Sequence, residues 1–205
     1  MTVLVVIAKA CVPGRVKTRL HPPYTLEAAA AIAEASLQDT LDVAAENPAD
    51  RRILYFDGNP GGLAREGFEV VPQHPGTLDQ RIAALFDSLD EPTLLIGMDT
   101  PQVVPADLKW PVDAEAVIGM AEDGGFWSLG LREPRGDLIR GVPMSRADTG
   151  ARQLAALIDA GLTVEPLRTL RDIDLAADAA AVAGTIPNSR LARAVAEAQR
   201  EGLAA

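Results

Sequence analysis

The chain has 205 residues, 48% of them hydrophobic, with a formal net charge of −10 and a single cysteine. This length suits one domain that buries its own core without staples, so residues 1–205 are expected to form a single unit. The acidic balance argues against general nucleic-acid binding, no apolar run reaches the length of a membrane span, and the lone Cys11 excludes an internal disulfide and fits a reducing compartment.

In chain order, Val3 to Ala8 is a short β-branched apolar run suited to a strand buried on both faces. It follows no basic leader, so it reads as the first strand and not as a signal peptide, and the expected compartment is the cytoplasm. Lys9 ends the strand. Pro13-Gly14 then breaks regular structure, and Arg15, Lys17 and Arg19 alternate with Val16, Thr18 and Leu20. If this segment is extended, the three cations point to one side. A basic loop in an acidic protein is a place for a polyanion, although such loops are often only solvated. Its position favours the first reading, because open α/β sheets bind ligands beyond the carboxyl ends of their strands. The loop is not a Walker A motif, since Val16 and not Gly precedes Lys17, so side-chain cations would have to hold any phosphate.

Thr25 can cap a helix in which Leu26, Ala30, Ala33, Leu37 and Leu41 share a face, ending before Asn47-Pro48. Arg52 to Phe56 and Phe68 to Val71 read as strands. Thr77 to Leu89 is a helix with Leu78, Ile82, Leu85 and Leu89 on one face. Thr93 to Gly97, Ala114 to Met120 and Phe126 to Leu131 are further strands, with Trp127, Leu129 and Leu131 predicted to share a face. Asp148-Thr149 can cap a helix running to about Ala160 and ended by Gly161. Thr163 to Leu167 is the last strand, followed by helices over Leu175 to Ala183 and Asn188 to Ala198. Strands alternating with helices imply an α/β three-layer sandwich with a mostly parallel sheet.

Three acidic positions follow strands or sit in turns: Asp99 after the buried run ending at Gly97, Asp123 in a turn sequence, and Asp172 with Asp174 after the last strand. Pro101 pushes Thr100 toward an extended backbone, which would aim Asp99 into the crevice. Extended backbone at residues 171–174 would send Ile173 one way and both neighbouring carboxylates the other. Hard cations such as Mg²⁺ or Mn²⁺ take oxygen ligands of this kind and share them with substrate phosphates. Each position also has a plainer role: Asp99 in a Thr-Pro turn, Asp123-Gly124 in a hairpin turn, Asp172 or Asp174 as a helix cap. His21 and His74 have no partner at metal-ligand spacing, Asp39 falls on the first helix with its side chain expected in solvent, and Phe126 and Trp127 suit a core. Lys9 and Arg15 could lower the pKa of Cys11.

Taken together, AKACVPGRVKTRL, GMDTP, AEDGGFW and RDIDLAAD resemble, in order, the motifs of a bacterial family of small nucleotide-diphospho-sugar transferases, often labelled glycosyltransferases, some associated with arsenosugar biosynthesis. The first motif is also similar to the lysine-arginine loop of 2-phospholactate guanylyltransferase. The resemblance spans Val3 to about Asp178 and implies the glycosyltransferase-A sandwich. It implies nucleotide contacts at Lys9, Gly14, Arg15, Lys17 and Arg19, with Mg²⁺ or Mn²⁺ at Asp99 and Asp174. It further implies an acceptor pocket bordered by Asp123, Gly124 and Trp127, and catalytic roles for Lys17, Asp99 and Asp123. The chain departs from the family pattern at Cys11 (usually Pro), at Phe126 (usually Tyr) and at Met144-Ser145 (usually Trp-Ser). Gly97 also leaves no D-x-D motif. The expected partners are a nucleotide sugar or nucleoside triphosphate and a small-molecule acceptor, without nucleic acid or membrane. The expected activity is metal-dependent glycosyl transfer. Nucleotidyl transfer releasing pyrophosphate, or nucleotide binding without catalysis, are the alternatives.

Overall fold

The computed structural model describes residues 2–204 and builds all seven strands into one sheet, in the order β3-β2-β1-β4-β6-β5-β7. The strands are β1 (Val3–Lys9), β2 (Arg51–Asp57), β3 (Glu69–Pro72), β4 (Thr93–Gly97), β5 (Ala116–Ala121), β6 (Phe126–Leu131) and β7 (Val164–Leu170). The helices are α1 (Leu26–Glu46), α2 (Leu78–Asp87), α3 (Thr149–Asp159), α4 (Ala176–Thr185) and α5 (Arg190–Ala204). All pairings are parallel except those of β6, which runs antiparallel between β4 and β5. The sheet is therefore mostly parallel, as expected, with β6 returning through a tight hairpin. No helix among the described residues is long and apolar enough to cross a membrane.

The strands bury both faces. Leu4, Val6, Leu54, Phe56 and Ile96 pack beneath Ala33, Leu37 and Leu41 of α1. Val3, Val5, Ile53, Tyr55 and Leu95 pack against Ile82, Phe86 and Leu157 of α2 and α3. This explains why β1 reads as a continuous apolar run and not as an alternating one. Helix α1 has a second apolar side that its single predicted stripe does not convey. Ala28, Ala29 and Ile32 meet Ala179, Val182, Leu191 and Val195 of α4 and α5. The small alanines let α1 lie between the sheet and these last two helices.

Several local expectations need correction. The segment from Arg15 to Arg19 is not extended: it turns at Lys17 (φ 46°, ψ 38°) into a 3₁₀ turn over Thr18–Leu20. Val16 and Leu20 are buried and draw the loop inward, so Lys17 is largely buried while Arg19 stays at the surface. Trp127 lies in the layer under α1, whereas Leu129 and Leu131 lie in the opposite layer. The β5–β6 register shifts at Gly119/Met120, and Gly119 leaves room for the indole, since a Cβ there would sit 2.4 Å from the ring. Asp148 occupies the cap position of α3 without a capping hydrogen bond, its carboxylate being paired with Arg152 at 2.7 Å. Asp39 is not left in solvent: it accepts from the backbone N–H groups of Arg190 (3.1 Å) and Leu191 (2.9 Å) and so caps α5.

Candidate functional site

The parallel strands end on one edge of the sheet, and a cleft of about 910 Å³ opens there. The topological switch point lies between β1 and β4, because the chain leaves β1 toward β2 on one side and β4 on the other. Lys9 and Asp99 stand at that point, and both line the cleft. Lys9 ends β1 and donates to the carbonyl of Arg15 at 3.3 Å, tying the basic loop to the strand that precedes it.

The exits of β4 and β7 are stitched together. Ile173 is buried, and its N–H donates to the carbonyl of Asp99 at 3.0 Å. With Ile173 anchored in the core, Asp172 and Asp174 on either side reach the cleft, in line with the alternation expected for this segment. Neither caps α4; that role falls to Asp178, whose carboxylate accepts from the Leu175 N–H at 2.8 Å. Asp123 comes from the β5–β6 hairpin and accepts from the Gly125 N–H at 2.7 Å, so it makes the turn and also faces the cleft. Gly124 has φ +90°, and a Cβ on it would lie 1.9 Å from the carbonyl oxygen of Ala147. Only glycine lets the hairpin approach the loop before α3 so closely.

Asp123, Asp172 and Asp174 form one acidic group, each offering a carboxylate oxygen within 4.8 Å of the others. Burial pushes Asp172 up to about 6, and the neighbouring charges of Asp123 and Asp174 push it the same way. Three carboxylate oxygen donors this close together are the chemistry that a hard divalent cation takes. Asp99 stands outside this group of three. The structure does bring Asp99 and Asp174 together, but through the ammonium of Lys17, 2.8 Å from Asp99 Oδ2 and 3.2 Å from Asp174 Oδ1. The Lys17 side chain is only 8% exposed. Burial disfavours its charge, but the two carboxylates outweigh burial and raise its pKa above the ordinary value.

Other cations remain accessible. Arg19 reaches Asp174 Oδ2 at 2.8 Å with its side chain 67% exposed. Gly14 (φ +75°) and Arg15 sit in the exposed turn that leads to Lys17. Trp127 lines the cleft from a buried position, its Nε1–H donating to the carbonyl of Arg168 at 2.9 Å. Lys9 and Lys17 do not activate Cys11. Burial first, then the charges of Glu34 and Asp99, push its thiol up to about 12, against the opposing pull of Lys9 and Lys17.

Sequence reasoning missed several lining residues. Arg81 on α2 pairs with Asp57 at 2.8 Å and donates to Gln73 Oε1 at 3.2 Å. Gln73 in turn donates to the carbonyls of Ala8 and Tyr55. Arg171 pairs with Glu122 at 2.7 Å across the β5 and β7 exits. Asp57 and Glu122 both stand at carboxyl ends of strands, so the rule that singled out Lys9 would have found them. Ser145, at φ 57°, lines the cleft from the loop before α3, and no sequence signal marks its left-handed backbone.

A family model described as "uncharacterized protein conserved in bacteria (DUF2064)" matches residues 32–146. No curated protein matches the chain. Among solved structures, a Desulfovibrio desulfuricans G20 protein assigned as a nucleotide-diphospho-sugar transferase superposes with a TM-score of 0.83 at 25% identity, over 99% of this chain and 95% of that one. Rv0371c of Mycobacterium tuberculosis H37Rv, in complex with manganese, gives 0.55 at 23% identity, over 89% and 98%. A CMP:2-keto-3-deoxy-manno-octonic acid synthetase complexed with CTP gives 0.59 at 10% identity, over 91% and 98%.

Proposed function

Since the chain belongs to the DUF2064 family and has the fold of the nucleotide-diphospho-sugar transferases, we propose that it is a metal-dependent glycosyltransferase, moving a sugar from a nucleotide-diphospho-sugar to a small acceptor. The observation that carries this reading is the cleft itself. An acidic group fit for Mg²⁺ or Mn²⁺ stands at the exits of β5 and β7, and exposed cations stand at the exit of β1 and in the loop after it. A diphosphate needs both kinds of partner.

In this reading Asp123, Asp172 and Asp174 hold the cation, and Asp99 braces the group through Lys17 and through its carbonyl bond to Ile173. A bound divalent ion would supply charge stabilisation to the departing diphosphate. Lys9, Gly14, Arg15 and Arg19 bind the nucleotide diphosphate. Arg81, held by Asp57 and Gln73, closes the cleft on the β2–β3 side. The acceptor enters beside Asp123, Gly124 and the wall formed by Trp127. Its oxygen bonds to the anomeric carbon as the bond from that carbon to the diphosphate breaks. The electron pair leaves with the nucleoside diphosphate, and the acceptor's proton passes to solvent.

A second reading, nucleotidyl transfer, is favoured by the likeness in fold to the CTP-bound synthetase. The two reactions differ in leaving group. Incubation with Mn²⁺ and pooled acceptors should release a nucleoside diphosphate from a nucleotide sugar. Acceptor-dependent pyrophosphate from a nucleoside triphosphate, with no such release, would establish the second reading. No turnover of either donor, with retained nucleotide binding, would leave a non-catalytic binding protein.

A further inference from the structure

Lys17 differs from the other cations of its loop. Its side chain is 8% exposed, against 67% for Arg19. Its backbone is left-handed (φ 46°), a conformation that a side-chain-bearing residue keeps only where its surroundings over-determine it. Those surroundings are the buried Val16 and Leu20 and the two carboxylates at 2.8 and 3.2 Å. Asp174 is shared between two sets of partners. Its Oδ1 meets Lys17 and its Oδ2 meets Arg19, yet the same carboxylate belongs to the group with Asp123 and Asp172.

We propose that Lys17 is a positioning residue and not a phosphate ligand: it is the resident counter-ion of Asp99 and Asp174, fixing the two carboxylates and competing with a divalent cation for Asp174. The inference rests on the transferase reading only for the kind of cation that enters. Asp99 Oδ1 is buried without a hydrogen-bond partner. Turning Lys17 toward a phosphate would take its ammonium from both carboxylates at once, leaving Asp99 Oδ2 without its partner at 2.8 Å and Asp174 Oδ1 without its partner at 3.2 Å. Arg19 has no such constraint. It lies at the surface and can exchange Asp174 for a phosphate oxygen. The loop thus carries one cation that serves the protein's own carboxylates and others that serve the ligand.

The test separates these roles by ligand. Lys17→Met and Lys17→Gln are titrated calorimetrically with MnCl₂ alone and, separately, with inorganic pyrophosphate in the presence of a chelator. Removal of a unit positive charge beside Asp174 should tighten Mn²⁺ binding roughly tenfold or more. Pyrophosphate affinity should stay within about twofold of wild type, while Arg19→Ala loses it. If wild-type protein binds Mn²⁺ too weakly to measure, the Lys17 variants should bind it measurably. Lys17→Gln, which keeps a donor for the carboxylates, carries the test should Lys17→Met fold poorly. Unchanged or weaker Mn²⁺ binding in the folded variants overturns the proposal, as does a tenfold loss of pyrophosphate affinity. Variants that show these shifts in a protein that turns over neither nucleotide sugars nor triphosphates would refute the transferase reading and leave the role of Lys17 standing.

Discussion

Replacing Asp172 by asparagine should stabilise the metal-free protein at neutral pH and leave it unchanged in acid. Asp172 titrates near 6 in the folded chain instead of at 3.8, because it is half-buried and faces Asp123 and Asp174. A carboxyl group whose folded value is raised holds its proton more tightly folded than unfolded. Its contribution favours folding below pH 3.8, is lost as the pH rises toward 6, and above that the ionised group is a standing cost. A displacement from 3.8 to about 6 corresponds to about 3 kcal/mol. Because the side chain is half open to solvent, screening leaves about 1–2 kcal/mol. For a chain of this length, 1 kcal/mol moves the melting temperature by about 2–4 °C. Asp172→Asn should therefore melt about 2–8 °C higher at pH 7.5 in a chelator and within error of wild type near pH 3.5. Saturating Mn²⁺ should raise the wild-type melting temperature by mass action and raise that of the variant less. Scanning calorimetry at both pH values decides the matter. An equal gain at both, or no gain at neutral pH, would refute the account of crowded carboxylates.

Other consequences can be measured directly. Gly124→Ala forces a Cβ to within 1.9 Å of the Ala147 carbonyl oxygen; it should cost about 2–4 kcal/mol by chemical denaturation and weaken Mn²⁺ binding, because the hairpin carrying Asp123 must move. Asp39→Ala removes the acceptor of the first two N–H groups of α5, while Ser189 still caps Ala192, and should cost about 1–2 kcal/mol while leaving Mn²⁺ affinity unchanged, both measurable in one denaturation and titration series. Cys11, its thiol pushed up to about 12, should be alkylated by iodoacetamide at pH 8 far more slowly than free cysteine in a timed mass-spectrometric assay; equal rates would show that the thiol is not held neutral.

The strands were readable because each is a short apolar run bounded by turn residues, and parallel sheets bury such runs on both faces. Helix α1 was found from one stripe, but its second side was hidden among alanines that suit any environment. The acidic positions Asp99, Asp123, Asp172 and Asp174 were legible by one rule, that ligands gather where strands end. In the basic loop, alternation alone does not decide between extended backbone and a turn. Val16 and Leu20 anchor a turn, and nothing local says that Lys17 will be drawn under two distant carboxylates, Asp99 and, 157 residues away, Asp174. Arg81 escaped notice because it sits on a helix, and only the packing of α2 against β2 brings it to Asp57.

The hydrogen bond from Lys17 to Asp174 links residues 157 positions apart. Asp172 and Asp174 therefore depend for their place in the cleft on the pairing of β7 with β5 and on the bond from residue 173 to Asp99. During synthesis the basic loop emerges early and waits in water for nearly the whole chain to follow. A truncated product ending before residue 170 would carry most of the strands but lack Asp172 and Asp174, leaving two carboxylates of the acidic group missing and Lys17 without Asp174.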